Sequence, residues 1–217
     1  RRAASMASEV AEESLQAVTD NPVWIDAVDD DHPHGRFVST GGYHNPHAVL
    51  AMDSLSAAYA NLCVIAERHG AKLLDGKVSL LPDQLIDPEA EDGFRRGYMG
   101  CIPMAQTGYE EEARLQAQAT LLPGSESGGF GQNDVASPVF LAWSKQERAG
   151  HCLDMALASL APIALRALDV TKRPVPAPLE SLAAMIREVL PDLAGRQPFG
   201  PAIGDLAERL RAEIYPS

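Results

Sequence analysis

The stretch NPHAVLAMDSLSAAYANLCVIAERH, Asn45 to His69, decides the fold. Asn45-Pro46 is a helix start: Asn can cap the free N–H groups of a first turn, and proline suits the first helical position. From there Ala48, Met52, Leu55, Tyr59, Leu62, Ala66 and His69 recur at spacings of four and three. That is one apolar stripe along about six turns of helix. It is narrow and rich in alanine, which suits a long helix packed closely against others in a bundle. Gly70 is expected to end or bend it.

Working outward, Arg1 to Ala17 has helical composition and is stopped by Val18-Thr19-Asp20-Asn21-Pro22, because Asn before Pro disfavours helical geometry. Val23-Trp24-Ile25 and Arg36 to Ser39 read as two short strands around an acidic loop, a small hairpin. Thr40-Gly41-Gly42 is then a tight turn with glycines where positive φ is expected. Downstream, Gly76 to Gly97 is irregular, and a helix is expected from about Met104 to Gln118. After Pro123, Gly124 to Gly131 holds four glycines in eight positions and leads into Gln132-Asn133-Asp134. By composition that run reads as a flexible surface loop, although such glycine density also lets backbone approach a ligand closely. Ser137-Pro138 opens a second long helix to about Val170, with Pro162 expected to kink it. Pro174, Pro176 and Pro178 form a spacer before two shorter amphipathic helices, near Leu179 to Leu190 and Ile203 to Ile214. The domain division expected is residues 1–173, a helical bundle with its loops, followed by 174–217, the short helices.

Composition sets limits on function. Hydrophobic residues are 46% and aromatics only 6%, which favours helices over a β-sandwich. Eighteen basic against thirty acidic residues give a charge of −12, with no basic stripe for nucleic acid or anionic lipid. Three cysteines without paired spacing are expected to be reduced thiols in a cytoplasmic protein. No apolar run is expected to reach membrane-spanning length, and no signal peptide is expected. The chain begins at Arg1 inside a helical stretch and is expected to be a fragment or processed product. His32, His34, His44 and His47 invite a metal, but they fall on loops without ligand spacing, so no metal is expected. Gly128-Gly129-Phe130-Gly131 lacks the strand–helix setting of a dinucleotide loop.

The order of segments resembles a family. Thr19-Asp20-Asn21-Pro22, an acidic hairpin, Val38-Ser39-Thr40-Gly41-Gly42-Tyr43-His44, and a long helix with Met52-Asp53 closing at Glu67-Arg68-His69 look like the matching stretch of histidine ammonia-lyases, members of the aromatic amino acid ammonia-lyase family. There one finds Ser-Asp-Asn-Pro, Ser-Gly-Gly-Asn-Phe-His, Ala-Asp-Asn and Ser-Glu-Arg-Arg. Leu73-Leu74-Asp75, Leu81-Pro82, Gly97-Tyr98-Met99 and Gln132-Asn133-Asp134 continue the likeness, which covers roughly residues 1 to 170.

The resemblance implies a mainly α fold, a long-helix bundle of the ammonia-lyase type with a small hairpin near its N-terminus, assembled as a homotetramer. It implies elimination of ammonia from an aromatic amino acid, or, in the family's 2,3-aminomutases, transfer of the amino group to the β carbon. The electrophile, a methylidene-imidazolone made from Ala-Ser-Gly, is expected on an N-terminal part of the same enzyme, since no Ala-Ser-Gly occurs here. This chain alone is expected to be inactive, with no catalytic residue of its own, and a noncatalytic helical assembly subunit is the alternative. The substrate-binding residues that carry over are Tyr43, His44, Gln132 and Asn133. Tyr43 stands where the family has a Phe beside the electrophile. His44 matches histidine lyases, where phenylalanine lyases have Gln. Asn133 stands where histidine lyases place Glu; a neutral amide cannot serve as a base, which favours a phenylalanine- or tyrosine-like substrate.

Overall fold

The structure, a computed structural model, describes residues 1–27, 30–87, 89, 98–121, 137–190 and 198–214. Its helices are α1 (Arg2–Gln16), α2 (Pro46–Leu74), α3 (Gly76–Ser79), α4 (Ile102–Gln116), α5 (Val139–Val170), α6 (Glu180–Val189) and α7 (Phe199–Ile214). Two short strands, β1 (Val23–Ile25) and β2 (Arg36–Val38), pair antiparallel with Trp24 opposite Phe37. The mainly helical fold with one small hairpin is therefore the one the sequence indicates. The chain forms two compact units. One holds residues 1–58 and 116–148, the other 59–115 and 149–217, so α2 and α5 each contribute to both.

In the first unit the local chemistry is capping and turn formation. Asn45 caps α2: its Oδ1 accepts from the Ala48 N–H at 3.3 Å, and its Nδ2 donates to the Ser14 hydroxyl of α1 at 2.8 Å. Inside the hairpin, Gly35 adopts φ +76°, and a β-carbon there would lie 2.4 Å from the Trp24 ring. Trp24 in turn meets Phe37 edge-on, with centroids 5.0 Å apart.

The second unit packs through small side chains. Ala60, Cys63 and Ala66 of α2, Ala113 of α4, and Ala149, Cys152 and Ala156 of α5 are all buried. Gly70 does not end α2; the helix runs on for four residues. A β-carbon on Gly70 would stand 3.2 Å from Gln106 Oε1 and 3.4 Å from Ile163 Cδ1, so this glycine serves close helix packing. Gln106 itself is fully buried and donates to the Ala156 carbonyl at 2.9 Å. Beyond it lies the larger apolar core, where Leu85, Met99, Ile163 and Leu206 are completely enclosed and Met185 and Ile186 of α6 close one side. Pro162 lies inside α5, fully buried.

One sequence expectation is amended. Within Gly42–Leu74 the chain is long and apolar enough to cross a membrane by length and composition. Alanines raise the average, while Asp53 and Glu67 stand about four turns apart. The buried Glu67 and the hydrogen-bonded Asp53 are what a core helix carries.

Candidate functional site

The turn before α2 is held by two segments far apart in sequence. Asn21 Oδ1 accepts from the Thr40 N–H at 2.9 Å and from the Ser39 hydroxyl at 3.1 Å. The Thr40 hydroxyl donates to the Asp20 carbonyl at 3.1 Å and accepts from the Gly42 N–H at 3.2 Å. Asp20-Asn21 and Ser39-Thr40 are thus stitched together, and the backbone is drawn so close that a β-carbon on Gly42 would sit 2.4 Å from the Val18 carbonyl oxygen. The positive φ expected at this glycine pair is found instead at Asn45, at +40°, while Gly41 sits at φ −96°. Gly42 is needed for proximity, and the left-handed residue is an asparagine, which tolerates it.

The stitched turn presents Tyr43 and His44 on a single 3-10 turn, Gly42–His44. Their rings lie 4.0 Å apart at 36°, Tyr43 exposed and His44 half-buried. The arrangement offers a flat aromatic face together with an imidazole that can donate or accept. Beside it a cleft of about 250 Å³ is lined by Glu13, Ser14, Gly41, Gly42 and His47, among others. Gln132 and Asn133 lie outside the described residues.

A residue read only as part of a motif proves to be structural. Asp53 of α2 reaches Thr120, just past α4, and Lys145 of α5 donates to the Thr120 hydroxyl at 2.8 Å and to the Gln118 carbonyl at 2.5 Å. This cluster fixes where the chain departs toward residues 122–136. No local pattern signals it, because Asp53 and Thr120 are 67 residues apart. Among the described residues no group of three or more His, Cys, Asp or Glu is placed to hold a metal.

A profile described as aromatic amino acid lyase matches residues 1–190. The chain is 31% identical over 205 residues to the histidine ammonia-lyase of Streptomyces coelicolor, covering 88% of this chain and 37% of that protein. Two solved structures share its fold. The ergothionase of Treponema denticola superposes with a TM-score of 0.82 at 18% identity, covering 98% of this chain and 41% of that one. The tyrosine aminomutase of Streptomyces globisporus gives 0.82 at 20% identity, covering 98% and 39%. The chain thus spans less than half the length of the proteins it matches. With a profile match over residues 1–190 and a relative 31% identical over 88% of its length, the chain belongs to the aromatic amino acid lyase family.

Proposed function

We propose that this chain is the C-terminal portion of an ammonia-lyase acting on an aromatic, phenylalanine- or tyrosine-like amino acid. The observation that carries this reading is the turn at Gly42–His44, locked by Asn21 and Thr40 so that Tyr43 and His44 project together. In an assembled enzyme that pair would line the substrate pocket, Tyr43 packing its ring against the substrate ring and His44 orienting a polar group. Gln132 and Asn133 would complete the lining. The absence of Ala-Ser-Gly from this sequence fits an electrophile made elsewhere in the enzyme. A methylidene-imidazolone on the N-terminal part would supply the electrophilic centre that activates the amino acid for loss of ammonia.

The chain's apolar surface supports a homotetramer with that N-terminal part present. Phe140, Leu141 and Trp143 at the start of α5 and Leu50, Leu62 and Ile65 along α2 are exposed, more large apolar side chains than a solitary helix pair leaves in water. A cytoplasmic location accords with the buried Cys63 and Cys152 being thiols rather than disulfides.

A second reading, histidine as substrate, draws support from the name of the Streptomyces coelicolor relative. The test is to co-express this chain with the electrophile-bearing part and assay phenylalanine, tyrosine and histidine for ammonia release. Release from phenylalanine or tyrosine supports the proposal; release from histidine alone selects the second reading. A β-amino acid among the products assigns an aminomutase. No turnover of any aromatic amino acid, with the electrophile correctly formed, leaves a noncatalytic assembly subunit.

A further inference from the structure

In the second compact unit a cleft of about 520 Å³ opens between the end of α2 and the last turns of α5. Small-molecule sites occupy several hundred Å³. Its walls are apolar, formed by Leu73 and Leu81 on one side and Leu160 and Ala164 on the other. Three basic side chains, His69, Lys72 and Arg173, stand around it, and among the described residues no carboxylate lines it. That runs against the character of a chain with net charge −12.

The three are placed by helix geometry. His69, Lys72 and Leu73 follow one another at i, i+3 and i+4 on α2, and so share a face. Arg173 is aimed by the way α5 ends. The Lys172 N–H bonds to the Asp169 carbonyl and the Arg173 N–H to the Leu168 carbonyl, both at 3.0 Å, with Lys172 left-handed at φ +53°. This is a Schellman closure, here with a residue other than glycine in its left-handed position.

Charge neutralisation does not account for them. Among the described residues none of the three makes an ion pair, whereas neighbouring cations do: Lys172 pairs with Glu89 at 3.1 Å and Arg187 with Asp169 at 2.9 Å. The carbonyl ends of α2 and α5 contribute about half a negative charge each. Lys72 and Arg173 each carry a full positive charge, so the mouth stays positive after that offset.

We infer that this cleft binds a small organic anion, a carboxylate held by Lys72 and Arg173 whose apolar body lies against Leu73, Leu81 and Leu160. The inference is independent of the reaction proposed above.

Isothermal titration of the protein in its native assembly with octanoate tests it, since octanoate has no ring to occupy an aromatic pocket. Saturable binding is expected, with octanamide and inorganic phosphate each at least tenfold weaker. K72Q and R173Q are expected to weaken octanoate about tenfold each, as loss of a charge-assisted hydrogen bond does. Both side chains are exposed, so their melting temperatures should match the parent and report an intact fold. Absence of octanoate binding overturns the inference, and so does equal binding of octanamide or phosphate. It is also overturned if neither substitution matters, or if Lys72 resists acetylation in the assembly because a neighbouring subunit fills the cleft.

Discussion

Asp53 holds Thr120 by two hydrogen bonds at once, accepting from its backbone N–H at 2.7 Å and from its hydroxyl at 2.5 Å. The same hydroxyl accepts from Lys145 at 2.8 Å, so a carboxylate, a hydroxyl and an ammonium form one chain of charge-assisted bonds. Asp53→Ala strands the amide of a buried residue and is expected to cost about 2–3 kcal/mol. Thr120→Val keeps the amide bond and should cost less, about 1–2 kcal/mol. Because both act on one cluster, the double variant should lose less than the sum, by roughly 1 kcal/mol or more in urea unfolding. Strict additivity would show that the two residues stabilise the fold separately.

Adjacent glycines before Tyr43 should respond in opposite ways to the same substitution. A β-carbon on Gly42 meets the Val18 carbonyl oxygen at 2.4 Å, whereas one on Gly41 meets nothing within 4 Å. Gly42→Ala is expected to destabilise by about 1–3 kcal/mol, as backbone must move. Gly41→Ala, at a negative φ, should be neutral or stabilising by about 0.4–1 kcal/mol through the unfolded chain. In the assembled enzyme Gly42→Ala should also lower kcat/KM about tenfold or more by shifting Tyr43 and His44, with Gly41→Ala near parental. Equal activity in the two variants would separate the turn from the reaction.

These residues also show what could be read in advance. The Asn45-Pro46 start, the long helix and the hairpin rest on chemistry within a few residues, and the structure has them. The buried face of α2, however, runs through Val49, Ser56, Ala60, Cys63 and Glu67, while Leu62 and His69 of the expected stripe are exposed, because the small residues allow the closest packing. Gly70 reads locally as the end or a bend of the helix because glycine often stands at such places; its partners Gln106 and Ile163 lie 36 and 93 positions away, beyond any local pattern. The positive φ expected at Gly41-Gly42 stands at Asn45 instead for a similar reason, since Gly42 answers to Val18 rather than to its own turn. Tyr43 and His44 stand out only through the family resemblance, and the structure adds how Asn21 holds Ser39 and Thr40 of the turn before them. The Asp53–Thr120–Lys145 cluster had no signal, each member being an ordinary polar residue in a helix or turn.

Asn45 performs three tasks, and its substitutions should rank accordingly. It caps α2, bridges to Ser14, whose hydroxyl donates to the Val10 carbonyl at 2.6 Å, and occupies a left-handed conformation. Asn45→Ala loses all three and is expected to cost about 2 kcal/mol. Asn45→Gly restores the backbone freedom and should recover roughly 1 kcal/mol of that. Thermal unfolding of the two variants, with Ser14→Ala alongside, separates the contributions. Alanine and glycine melting together would remove the left-handed backbone from the account.

Cys63 and Cys152 are fully buried, and burial first, then the nearby Cys152, Glu110 and Asp154, pushes the Cys63 thiol up from 9.0 to about 12. Cys101, by contrast, is exposed. At neutral pH iodoacetamide should therefore label Cys101 alone until the protein unfolds. The same shift makes stability depend on alkali. Below pH 9 both folded and unfolded chains hold this proton; between 9 and about 12 the unfolded chain has released it while the folded one has not. Stability from this group is thus complete below pH 9 and lost as pH rises toward 12, with a slope approaching about 1.4 kcal/mol per pH unit. Cys63→Ala should unfold at lower urea at pH 8 because a packed thiol is gone, yet its midpoint should fall less steeply between pH 9 and 11. Parallel slopes for parent and variant would mean that the alkaline loss comes from other groups.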